Sequence, residues 1–159
     1  MNETIHLGMH YTGMNVDNQL EYFSDIHDIA ILLSKDFSLV ENKNMKELKT
    51  VFSFQKVDGS KNEDSKGFEI YTFPKTQVGQ INTEQGFRLW HDANINSQNI
   101  IQLSELQMPF GKLWRTQEQD GVDSTGRYYY FENNKYCFMI MLFNISQNEI
   151  ESIISKIQI

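Results

Sequence analysis

Residues Tyr136–Phe143 (YCFMIMLF) run apolar without a break, directly after an aromatic segment and a pair of asparagines. A strand that is apolar on both faces needs cover on both, so this run predicts a central strand rather than an edge. Arg127–Glu132 carries Tyr128, Tyr129, Tyr130 and Phe131, residue types that suit a pleated surface. Asn133-Asn134 follow, and Asn tolerates the positive φ that a tight hairpin turn demands. With those two as the loop, Glu132 faces Lys135, Phe131 faces Tyr136, Tyr130 faces Cys137 and Tyr129 faces Phe138. One face then holds Tyr129, Phe131, Tyr136, Phe138 and Ile140. The other holds Tyr128, Tyr130, Cys137, Met139, Met141 and Phe143.

A helix closes the chain. Ser146 stands three residues before Glu149, the spacing of a capping box, and Ile145 and Ile150 form the matching hydrophobic staple. Ile150, Ile153, Ile154 and Ile157 fall at i, i+3, i+4 and i+7, one stripe of a helix.

The 159 residues predict one domain with an ordinary core. The net charge of −7 argues against nucleic acid, whose phosphates need a basic surface. The acidity is uneven. Residues 1–41 hold Glu3, Asp17, Glu21, Asp25, Asp28, Asp36 and Glu41 against Lys35 alone, and a lysine-rich stretch follows from Lys43 to Lys75. Such an acidic segment steers toward cationic partners. Cys137 is the one cysteine, which excludes an internal disulfide and a cysteine-based zinc site. No apolar run reaches transmembrane length, so no membrane insertion is expected. Met1–Asn15 lacks the basic and apolar regions of a signal peptide. The expected location is cytoplasmic; a secreted or lipoprotein domain expressed without its leader would read the same.

Along the chain, Met1–Val16 alternates weakly and reads as a short edge strand. Asp17 is a good N-cap for an amphipathic helix running to about Ser34. On it Leu20, Phe23, Ile26, Ile29, Ala30, Ile31 and Leu33 make an apolar arc that includes His27. Glu21, Asp25 and Asp28 gather on the opposite side. Strands are expected at Phe37–Val40, Thr50–Val57, Phe68–Phe73 (stopped by Pro74), Phe87–Asp92 and Lys112–Gln117. Loops are expected at Asp58–Gly67, Thr76–Gly86 and Asp120–Gly126, and a short helix at Asn94–Gln107 ended by Pro109. The resulting fold class is α+β: a mostly antiparallel sheet with helices packed on it, an α/β sandwich, ending in a β-hairpin and a C-terminal helix. The Gly111-Lys112-x-Trp114-Arg115 strand, the aromatic hairpin and the closing helix together make the order of elements resemble PsbP-like α/β/α sandwiches. The likeness covers the last third of the chain and brings no residue roles with it.

No phosphate loop, dinucleotide fingerprint, serine elbow or two-cysteine zinc motif is present, so no cofactor and no metal is expected. His91-Asp92, beside Trp90, is the most catalytic-looking pair, yet adjacent strand residues point to opposite faces. Cys137 with His91 would make a nucleophile and base, but a thiol in the middle of an apolar strand reads as buried and inert. His6 and His10 share a metal-binding spacing that Gly8 between them works against. Asp120 and Asp123 lack the dense carboxylate spacing of a calcium loop.

Trp90, Trp114, Arg88 and Arg115 are residue types that anchor interfaces. In a strand Trp114 and Arg115 point opposite ways, so one is expected to face outward. The leading reading is a non-enzymatic protein-binding module, for instance a small acidic inhibitor or immunity-type protein. Its cationic partner would be met by Glu21, Asp25, Asp28, Trp90, Trp114 and Arg115. The alternatives are a small-ligand-binding or extracytoplasmic accessory domain, whose cavity would be lined by Tyr and Met, and an enzyme centred on His91.

Overall fold

The computed structural model describes residues 9–14, 18–44, 50–56, 66–75, 100–118 and 128–159. Ten strands and one helix lie among them. A three-stranded sheet has the order β1 (His10–Met14), β2 (Leu20–Ser24), β3 (Ile29–Leu33). The other strands are β4 (Phe37–Asn44), β5 (Thr50–Lys56), β6 (Gly67–Pro74), β7 (Ile100–Met108), β8 (Gly111–Glu118), β9 (Tyr128–Glu132) and β10 (Tyr136–Phe143). They form a seven-stranded antiparallel sheet of order β4-β5-β6-β10-β9-β8-β7. Helix α1 (Gln147–Ile154) follows β10.

The apolar run is where its composition demands. β10 is the fourth of seven strands and pairs with β6 along its whole length, from Tyr136↔Pro74 to Phe143↔Gly67. Its two faces serve two sets of buried side chains. Phe138 and Ile140 join Tyr129 and Phe131 in the main core, with Phe131 and Phe138 stacked at 4.9 Å. Cys137 and Met139 join Tyr130, Trp114 and Phe73 on the other face.

The faces are as expected, but the register is not. Phe131 pairs with Phe138 and Glu132 with Cys137, a slip of two residues from the sequence reading. The loop residues are Asn134-Lys135. Asn133 closes the turn itself: its N–H donates to the Tyr136 carbonyl at 3.0 Å, and its Oδ1 accepts from the N–H groups of Lys135 and Tyr136. A two-residue slip preserves side-chain parity, which is why the face assignment survives it.

The expected helix over Asp17–Ser34 is instead the β2–β3 hairpin. Its apolar residues fit either period, and Tyr22, Ile29, Ile31 and Leu33 are buried as strand residues. A trace of the helical signal survives in the loop, where Asp28 N–H donates to the Ser24 carbonyl at 2.8 Å in a single helical turn. Asp28 then adopts φ 54, which reverses the chain into β3. Pairing with neighbours has overridden a local period. The expected helix over Asn94–Gln107 is likewise corrected: Ile100–Met108 is strand β7, joined to β8 by Pro109 and Phe110. The expected strand Phe87–Asp92 and the loops at 76–86 and 120–126 lie outside the described residues.

α1 begins as predicted. Ser146 Oγ accepts from the Glu149 N–H at 3.1 Å, and Ile145 packs against the core. Ile150, Ile153, Ile154 and Ile157 are all buried, each worth about 1.5–3 kcal/mol of burial. Beyond the helix, Gln158 exchanges two backbone hydrogen bonds with Ala30, at 2.9 and 3.0 Å. The tail thus lies along the free edge of β3. The helix and the small sheet share one core with the large sheet. The expected sandwich of helices packed on the sheet is not confirmed, because α1 is the one helix among the described residues.

Glu151 ties α1 to the sheet. Its Oε2 accepts from Arg115 Nη1 at 2.7 Å, Tyr129 Oη at 2.8 Å and Gln147 Nε2 at 3.0 Å. Burial works to raise its pKa, but these hydrogen bonds and the Arg115 charge outweigh it and hold the carboxyl below 4.5. A depressed folded-state pKa means stability that is present above the ordinary carboxylate range and lost as pH falls through the lower folded value. Glu151→Gln is therefore expected to lower stability by about 1.5–3 kcal/mol at neutral pH in urea denaturation. The same variant is expected to flatten the loss of stability below pH 4.5.

Gly67 is a second fixed point, where β6 begins beside β5. A Cβ there would collide with the Phe54 carbonyl oxygen and crowd the Phe143 ring. Gly67→Ala is expected to lower the urea midpoint by the equivalent of about 1–3 kcal/mol. An unchanged midpoint would show that β5 and β6 are not held this closely.

Candidate functional site

Two turns from different sheets meet at one end of the molecule. The Asn133 side chain that shapes the β9–β10 turn also donates, through Nδ2, to the His27 carbonyl at 2.7 Å. One residue therefore builds its own hairpin and pins the β2–β3 loop. Between the turns lies a cleft of about 530 Å³. Asp25, His27 and Asp28 line one wall, and Glu132, Asn134, Lys135 and Tyr136 line the other. Lys75, just after β6, Phe110, from the β7–β8 turn, and Ile159 also line it.

His27 is 3% exposed. Its ring packs edge-on to Phe52 at 5.3 Å and to Tyr136 at 4.7 Å. Nδ1 lies 2.7 Å from Ser24 Oγ. Nε2 has no hydrogen-bond partner among the described residues. Burial lowers the imidazole pKa to about 4, so the ring is neutral at pH 7.

The charges of the cleft fall into two groups. Lys75 Nζ and Glu132 Oε1 pair at 2.8 Å. Glu132 Oε2 is closed off with no hydrogen-bond partner among the described residues, on the same side as Cys137. Asp25, Asp28 and Lys135 are exposed and form no ion pair among the described residues.

The residues that the sequence singled out are not assembled in one place. Asp25 and Asp28 stand together on the cleft. Glu21 lies on β2, where its Oε1 accepts from Thr12 Oγ1 at 2.7 Å. Trp114 is 8% exposed and packs with Tyr130, Cys137 and Met139. Arg115 points the other way and is held by Glu151, so neither stands open on the surface. Trp90, Arg88, His91, Asp92, His6, Asp120 and Asp123 lie outside the described residues. His27 was visible on an apolar arc, but nothing in the spacing placed it beside Asn133 or Tyr136, more than a hundred residues away.

Burial pushes the Cys137 thiol up to about 12, with the Glu132 charge adding to the effect and Lys75 opposing it. A thiol with that pKa is not a nucleophile at neutral pH. No group of three or more His, Cys, Asp or Glu able to hold a metal occurs among the described residues. No helix among them is long and apolar enough to cross a membrane. Comparison with known proteins finds no matching family model, no matching curated protein and no matching solved structure.

His27 makes stability pH-dependent in a defined window. Its folded pKa is about 4 against 6.5 when unfolded, so the unfolded chain takes up the proton first. The charged groups facing the ring's surroundings are Asp25, Asp28, Lys75, Glu132 and Lys135. Lowering the pH from about 7.5 to about 4.5 is expected to remove about 2–3 kcal/mol of stability through this group. In His27→Gln that part of the pH dependence is expected to vanish. Parallel wild-type and variant curves from urea denaturation across the window would refute the assignment.

Proposed function

We propose that this chain is a non-enzymatic protein-binding module, of the small acidic inhibitor or immunity type, that docks a cationic partner at the turn-lined end. The observation that carries the reading is the state of Asp25 and Asp28. They are exposed, form no ion pair among the described residues and line a cleft, on a loop within the most acidic quarter of the chain. Such a surface draws in positive charge at long range and gives association a salt dependence. The inert thiol and the neutral imidazole support a binding role over catalysis, since a general base works best with a pKa near the operating pH. The reading places the protein in the cytoplasm, where a lone thiol stays reduced.

The test is capture from the native host by immobilised protein at about 0.05 M and about 0.5 M salt. One cationic protein is expected to be retained at low salt, released at high salt, and lost when Asp25→Asn and Asp28→Asn are combined. Capture that ignores both salt and the double variant would refute the reading.

The volume of the cleft favours a second reading, a small-ligand-binding domain, since such sites span roughly 300–1,000 Å³. Its lining contains Tyr136 and Phe110 but no methionine, and it lies between turns rather than between sheet and helix.

A further inference from the structure

We infer that the sheet edges of this protein are guarded against strand addition, so that the chain meets other molecules through side chains and turns and not by lengthening a sheet. The inference holds whatever the cleft binds. The edges among the described residues are β1 and β3 of the small sheet and β4 and β7 of the large one. An edge strand presents a row of backbone N–H and C=O groups that another chain can join.

Three of these four edges carry one residue more than the neighbour they pair with. On β1, Tyr11 faces Tyr22 and Gly13 faces Glu21, which leaves Thr12 as the extra residue. On β4, Leu39 faces Phe54 and Glu41 faces Ser53, which leaves Val40. On β7, Ile100 faces Glu118 and Gln102 faces Gln117, which leaves Ile101. In each pair the surplus lies on the outer strand. The pairs inside the large sheet, β5–β6, β6–β10, β10–β9 and β9–β8, keep an unbroken register.

The fourth edge carries the argument furthest. β3 pairs with β2 in unbroken register. It is also the edge that Gln158 covers, with two backbone hydrogen bonds to Ala30. The regular edge is covered and the other three are bulged. A bulge bends its strand and increases the local twist, so the outer row of polar groups departs from the straight ladder that an added strand needs. At the β1 bulge Gly13 takes φ 143, which a residue with a side chain rarely adopts.

The test is the deletion of Val40. Leu39 and Glu41 already face consecutive residues of β5, so every other pair of β4 can stay as it is. Val40 is 54% exposed, so little packing goes with it. Weight-average mass is read by sedimentation from about 10 µM to about 1 mM. The unaltered protein is expected to keep its monomer mass, and the deletion variant to rise toward that of a dimer. Val40→Ala, which removes the apolar side chain and keeps the bulge, is expected to match the unaltered protein. Gln158→Pro removes the N–H that donates to the Ala30 carbonyl, beyond the end of the last strand, and so uncovers β3. It too is expected to associate, and it decides the matter if the deletion variant does not fold. Monomer mass for every folded variant would overturn the inference. So would association of the unaltered protein that slows amide exchange along β1, β4 or β7.

Discussion

A strand that is oily on both sides has nowhere to go but the middle of a sheet. That constraint, set by Tyr136–Phe143, organises the molecule. β10 pairs with β6 on one flank and β9 on the other, and so joins two meanders, β4-β5-β6 and β7-β8-β9-β10, into one surface. Its odd face then needs covering on one side and its even face on the other. The even-numbered Phe138 and Ile140 look toward the small sheet and α1, with which they share a core. Everything described on that side, from Tyr22 and Ile31 to the four isoleucines of the closing segment, packs onto that strand and its neighbours.

The last thirty residues were legible because several local signals agreed there. Aromatic strand, asparagine turn, cap, staple and isoleucine stripe each restricted the same segment, and they agreed on faces even though the turn lies one residue on and the register slips by two. The edge strand expected within Met1–Val16 is β1, but residues 17–34 were misread because the cap at Asp17 and the apolar arc report local order alone. Leu20, Phe23, Ile26 and the run Ile29–Leu33 satisfy a helical arc and a pair of strands equally well. The tie was broken by contacts that sequence order hides: Tyr22 edge-on to Phe54 at 5.3 Å, and Ala30 bonded to Gln158. β7 was missed for the same reason, since its apolar residues gain their meaning from β8.

The cleft was illegible as a whole, although its parts were visible. Asp25 and Asp28 stood out by charge, and Asn133 by its turn chemistry. What joins them is the reach of one amide side chain across more than a hundred residues to a carbonyl on another sheet. The same contact holds the His27 loop against the β9–β10 turn. The loop is pressed against Tyr136 and Phe52, yet it belongs to a separate sheet, so the seam between the sheets stays partly open. A neutral imidazole and exposed carboxylates gather at that seam, while the thiol of Cys137 is sealed on the far side of the sheet.

The place of β10 in the sheet also bears on how the molecule comes into being on the ribosome. β6 emerges more than sixty residues before the strand that completes it. Until then its inner edge is a row of open amides and carbonyls, flanked by Phe68, Ile70 and Phe73. Closure must wait for a long-range pairing, which is slow, and the nascent chain is most vulnerable to joining a neighbouring copy during that delay. Yield in the cell should thus depend on translation speed and chaperone supply more than on the stability of the finished fold.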